Sequence, residues 1–147
     1  MNALKSILLA EDSQQDAELT LGALRENHIA NDIQVVRDGQ ETLDYLYCRG
    51  PFADRSSGSP AFILLDLKMP RVDGLEVLAV IKSDERLKLI PVVMLTSSRE
   101  EIDLVRSYEL GVNAYVVKPV DFRAFFEAVK EIGAFWAVLN ETPMRNS

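Results

Sequence analysis

With 147 residues, 48% of them apolar, the chain has enough material for one domain built around one core. Its 16 lysines and arginines face 23 acids, a formal charge of -7, so no basic stripe is available for nucleic-acid phosphates. A single cysteine, Cys48, excludes an internal disulfide and points to a reducing, cytoplasmic setting, and no apolar run reaches the length of a membrane span.

Short apolar runs alternate with longer amphipathic ones. Strands are expected at 6–10, 32–36, 62–65, 91–95 and 114–117. Helices are expected at 12–28, 39–48, 74–84, 99–110 and 121–139. Ser13 reads as the first helix's N-cap, and Gly111 as the residue that closes the fourth. Leu75, Leu78 and Ile81 align on the third helix; Phe122, Phe125, Val129, Ile132 and Trp136 form a core-facing stripe on the last. His28, at the end of the first helix, complements its dipole. The stretch 49–60, RGPFADRSSGSP, reads as a long polar loop, and 140–147 as a tail. One domain is expected over 1–147, with its core at about 5–139. Five strand–helix units imply an α/β fold: a doubly wound parallel sheet covered on both faces, with strands that read as continuous apolar runs.

The residues that follow these runs carry the chemistry. Glu11 and Asp12 follow ILLA, and Asp66 follows FILL. Thr96 and Ser97 follow VVML, and Lys118 and Pro119 follow YVV. In a parallel sheet these positions share one edge, the carboxyl ends of the strands, where open α/β sheets place their sites. Any one of them alone is an ordinary polar residue after a strand. Together they put three carboxylates, a hydroxyl and an amine in one cleft. Three close carboxylates need a proton or a cation between them, and an all-oxygen set suits Mg²⁺. A carboxylate beside Mg²⁺, with an ammonium and a hydroxyl opposite, suits phosphoryl transfer, and an aspartate can itself take the phosphoryl group as an acyl phosphate.

The motifs LLAEDS (8–13), LLDLKMPRVDG (64–74), VVMLTSS (92–98) and AYVVKPVD (114–121) closely resemble those of response-regulator receiver domains of two-component signalling. The resemblance spans about residues 5–139 and implies a flavodoxin-like sheet of order 2-1-3-4-5 with five helices. It implies that Asp66 is the phosphoacceptor, supplied by a phosphohistidine on a sensor histidine kinase. Glu11, Asp12, Asp66 and the backbone carbonyl of Lys68 would serve Mg²⁺, Glu11 largely through water. Lys118 and Thr96 would hold phosphoryl oxygens, and Thr96 and Tyr115 would form the switch. Lys118–Pro119 would be cis, and Gly74 would permit the turn after the third strand.

The motifs fill most of the chain, so output is expected to be a contact: a target protein, a phosphotransfer protein or a second copy. Leu104 and Tyr108 on the fourth helix, and Phe126 and Phe135 on the fifth, are apolar residues left over from the core stripes; with Trp136 they suggest an interface. The loop at 49–60 and the ending FWAVLNETP resemble the single-domain regulators that partner bacteriophytochrome-type kinases and dimerise through the fourth helix, fifth strand and fifth helix. The chain is therefore expected to be a signalling switch rather than an enzyme. One alternative is a Mg²⁺-dependent phosphatase of the haloacid dehalogenase type using Asp66. That family carries an acid or base two positions after its nucleophile, where this chain has Lys68. Another is a receiver scaffold that binds a partner without phosphorylation, against which every acid, hydroxyl and amine position is intact.

Overall fold

The computed structural model describes residues 5–27, 29, 31–55 and 58–132. Ten elements alternate as expected. They are β1 (Ile7–Ala10), α1 (Gln14–Glu26), β2 (Ile33–Val36), α2 (Gly39–Leu46), β3 (Phe62–Asp66), α3 (Gly74–Ser83), β4 (Val92–Thr96), α4 (Arg99–Ser107), β5 (Ala114–Val117) and α5 (Phe122–Glu131). Two short 3₁₀ turns, Gly50–Phe52 and Leu87–Leu89, were not anticipated.

The strands form one five-stranded sheet in the order β2-β1-β3-β4-β5, and each neighbouring pair is parallel. Side chains alternate across it, as the strand period requires. Leu8, Ala10, Ile63, Leu65 and Met94 face one side, where they pack with Leu43 and Leu46 of α2, Val77, Leu78 and Ile81 of α3, and Val105 of α4. Ile7, Leu9, Phe62, Leu64, Val93 and Leu95 face the other, against Ala17 and Leu24 of α1 and Phe125, Ala128 and Val129 of α5. With both faces covered, β1, β3 and β4 are buried along their whole length. That is why they read as unbroken apolar runs.

Each helix starts on a side chain that accepts from its first turn: Ser13, Asp38, Asp73, Ser98 and Asp121. The far ends depart from expectation. Helix α2 stops at Leu46, and Cys48 lies beyond it at φ 53°, outside the helix it was assigned to. Helix α4 stops at Ser107 rather than 110, because Glu109 turns left-handed at φ 52°; Gly111, at φ 74°, lies in the loop beyond. Phe122 does not join the core stripe. As the first residue of α5 it is 47% exposed and stacks on Phe126, with ring centroids 6.4 Å apart. His28, Phe135, Trp136 and the tail at 140–147 lie outside the described residues. Among the described residues no helix is long and apolar enough to cross a membrane.

Candidate functional site

Strand register fixes the cleft. Ala10, the last residue of β1, pairs with Leu65, one residue before Asp66; Asp66 pairs with Leu95, and Thr96 with Val117. Glu11 and Lys118 therefore stand one step past their strands, and their backbone N–H groups donate to Val36 and Thr96 at 2.9 and 2.7 Å. Glu11, Asp12, Asp66, Thr96 and Lys118 thus come to one edge of the sheet, as the sequence placed them. The loop leaving Asp66 is held close: a Cβ on Gly74 would strike the carbonyl oxygen of Asp66 and the backbone of Leu67. Gly74 is required by that approach and not by its φ.

The cleft is acidic and largely buried. Glu11 is fully buried and Asp66 nearly so, whereas Asp12 stands at the exposed rim. One carboxylate oxygen from each of the three lies within 4.8 Å of the others. The Lys118 ammonium is 3.2 Å from Asp66 Oδ1 and donates to Glu11 Oε1 at 3.3 Å and Asp16 Oδ2 at 3.1 Å. Burial pushes the Glu11 carboxyl up to about 7, helped by its hydrogen bond to Asp66 and the Asp66 charge. Burial also raises Asp66, against the opposing hydrogen bond from Glu11 and the charge of Lys118. For Lys118 burial acts downward, but the surrounding carboxylates, Asp66 foremost, carry it above the ordinary lysine range. Two buried carboxyls raised above their ordinary range, with a third beside them, are a donor set in which a hard divalent cation can take a proton's place. The residues present fit such an ion.

Thr96 is fully buried, and its Oγ1 finds no hydrogen-bond partner among the described residues. Tyr115 is half-buried against the α2–α4 side of the core, with the Arg106 guanidinium 5.1 Å from its ring centre. The Lys68 side chain pairs with Glu101 of α4 at 3.1 Å. Lys118–Pro119 is cis. Leu104 and Tyr108 are 48% and 57% exposed, while Phe126 is half-buried.

Sequence reasoning missed three contacts around the cleft. Asp16 reaches Lys118 from the first turn of α1, where an acid reads as a complement to the helix dipole. Glu101 holds Lys68 and accepts from the Ser97 N–H at 2.7 Å. Arg71, at φ 68°, forks onto both oxygens of Asp38 at 3.0 and 3.1 Å, tying the loop after β3 to the α2 cap. Only the three-dimensional crossing of α1, α4 and α2 with the strand ends reveals these pairs.

The chain is similar to known proteins along nearly all of its length. The family described as "Response regulator receiver domain" matches residues 7–130. The response regulator Rcp1 of Synechocystis sp. is 42% identical over 135 residues, covering 92% of this chain and 90% of that protein. The solved bacteriophytochrome response regulator AtBRR is 60% identical, with a TM-score of 0.90, over 95% of this chain and all of the other. A solved Mn²⁺-bound form of Rcp1 has 42% identity and a TM-score of 0.72, over 90% of this chain and 94% of that one. Sheet order, the acidic cleft and these likenesses agree: the chain belongs to the receiver-domain family of two-component response regulators.

Proposed function

We propose that this receiver accepts a phosphoryl group on Asp66 from a phosphohistidine of a sensor histidine kinase, with Mg²⁺ as cofactor, and signals through a protein contact. The observation that carries this reading is the placement of Asp66: nearly buried, 3.2 Å from Lys118, and within one ligand sphere of Glu11 and Asp12. An Asp66 carboxylate oxygen attacks phosphorus as the P–N bond breaks. The imidazole keeps the electron pair and takes a proton from solvent. Glu11, Asp12, Asp66 and the Lys68 carbonyl are the groups that would hold Mg²⁺, which supplies charge to offset the phosphoryl oxygens. Lys118 donates to one of those oxygens, and Thr96 turns its unpartnered hydroxyl to another. Tyr115 then follows Thr96 inward, away from Arg106. The likeness to AtBRR, named as a bacteriophytochrome response regulator, supports a bacteriophytochrome-type kinase as donor.

For output, the α4–β5–α5 face supports a homodimer. Leu104, Tyr108, Val117 and Phe122 are exposed on these three elements. The test is intact mass with Mg²⁺ and acetyl phosphate, wild type beside Asp66→Asn, with sedimentation on the same samples. A single adduct lost in the variant, with a change in sedimentation, is expected. Labelling that persists in Asp66→Asn would overturn the assignment.

A further inference from the structure

Lys118 carries three N–H donors and has three carboxylate oxygens within reach: Asp16 Oδ2 at 3.1 Å, Asp66 Oδ1 at 3.2 Å and Glu11 Oε1 at 3.3 Å. Two of these partners, Glu11 and Asp66, also belong to the group of acids that could hold a cation. Asp16 does not. A cation that draws charge from Glu11 and Asp66 weakens their hold on the ammonium, and so does a phosphoryl group on Asp66. Asp16 is then the carboxylate left to keep a four-carbon, rotamer-rich side chain in place.

Its own position is fixed by backbone. Asp16 sits one turn beyond Glu11–Asp12, in the first turn of α1, and its N–H donates to the capping Ser13 Oγ at 3.2 Å. Ser13 in turn donates its N–H to Glu11 Oε2 at 3.1 Å. The cap therefore couples the strand end that carries Glu11 to the helix turn that carries Asp16. Asp16 lies at the rim, 34% exposed, while Lys118 is 15% exposed. A carboxylate there holds the ammonium from a different element than the strand ends that carry Glu11 and Asp66.

We propose that Asp16 is a positioning residue: it fixes the Lys118 ammonium beside Asp66 and retains it when Glu11 and Asp66 engage the cation and the phosphoryl group. This role rests on phosphoryl transfer at Asp66. An acid in the first turn of a helix also stabilises that helix, and the experiment has to separate the two effects.

Full-length wild type, Asp16→Asn and Asp16→Ala are compared, each also in a Lys118→Ala background, with Mg²⁺ and acetyl phosphate. In the step followed, an Asp66 oxygen bonds to phosphorus, the P–O bond to acetate breaks, and acetate leaves with the electron pair. At saturating acetyl phosphate, Asp16→Ala lowers the rate of labelling about tenfold. Asp16→Asn, which keeps an oxygen acceptor, stays within about threefold of wild type. In the Lys118→Ala background Asp16→Ala costs nothing further, because the group it positions is gone. A purely helical role predicts instead an equal loss of thermal stability in both backgrounds with the labelling rate unchanged. That result, or an equal rate loss in both backgrounds, overturns the proposal. Absence of labelling in wild type would refute phosphoryl transfer from this donor by itself. The ¹⁵N ammonium resonance of Lys118 in Mg²⁺ still decides the positioning: it is protected from exchange in wild type and lost in Asp16→Ala, and its survival in Asp16→Ala overturns the proposal.

Discussion

Replacing Thr96 by valine should stabilise the unphosphorylated protein and uncouple it from its signal. Thr96 ends β4, is fully buried, and leaves its Oγ1 without a partner among the described residues. A buried hydroxyl with no partner costs about 1–3 kcal/mol in lost hydration. Valine fills nearly the same volume with a methyl in place of the hydroxyl, so no cavity opens. Its β-branched side chain suits the strand equally well. The strand's own bonds are untouched, since Lys118 N–H donates to the Thr96 backbone oxygen. The expected gain is about 1 kcal/mol, which for a chain of this length raises Tm by about 3 °C.

The same substitution removes the hydroxyl assigned to a phosphoryl oxygen. A hydrogen bond to a charged group is worth about 1.5–3 kcal/mol, enough to shift a two-state equilibrium by roughly ten- to a hundredfold. Thr96→Val should therefore accept the phosphoryl group on Asp66 but lose most of the change in sedimentation that follows. Thermal unfolding by circular dichroism reads the first effect, and sedimentation with acetyl phosphate and Mg²⁺ the second. A variant destabilised by more than about 1 kcal/mol would show that the resting hydroxyl already makes a native bond, which a free switching group cannot.

Other outcomes follow from the same geometry. Glu11 is raised from 4.5 to about 7 in the folded protein, so the folded state holds a proton that the unfolded chain releases. Its contribution is complete below pH 4.5 and is lost as pH rises through about 7. Without a divalent cation, Tm should fall between these values. Mg²⁺ at pH 8 should restore it, and a flat profile in EDTA would refute the shift. Gly74→Ala forces a Cβ onto the Asp66 carbonyl and should cost about 2–4 kcal/mol, measured by urea unfolding; a neutral effect would mean that the loop after β3 yields freely. Phe125→Ala, which removes a ring 1% exposed between the sheet and α5, should cost about 3–5 kcal/mol in the same assay. Tyr108→Arg should weaken self-association at least tenfold in sedimentation if α4 is at the dimer face, without altering labelling of Asp66.

The sheet was legible because burial on both faces makes β1, β3 and β4 apolar up to their last residues, where Asp66 and Thr96 end β3 and β4. Asp66, Thr96 and Lys118 could be placed at that edge because each ends an apolar run, and it was the ordered set, not any one residue, that marked the cleft. Helix ends were less legible. The fourth helix carries helix-forming residues through Leu110, yet Glu109 turns left-handed, since the chain has to reverse to start β5 at Ala114. Phe122 satisfied the helical stripe in the sequence, but a residue at the first position of α5 projects past the sheet. Asp16 and Glu101 carried no signal, because an acid in a helix's first turn is accounted for by the helix itself.

That blind spot has a consequence for the charge of the cleft. Counting only the strand ends gives three carboxylates and one ammonium; Asp16 makes four against the same Lys118. Burial is the main cause of the upward shift at Glu11 and Asp66, and the hydrogen bond to Asp66 and its charge add to it at Glu11. In the proposed reaction a divalent cation would take the place of a proton, and a phosphoryl group on Asp66 would restore the negative excess. Each step would change what Lys118 is attracted to. On that reading, switching draws on the redistribution of one ammonium and the Thr96 hydroxyl among competing oxygens. The sheet edge formed by β1, β3, β4 and β5 brings those oxygens close enough for the competition to matter.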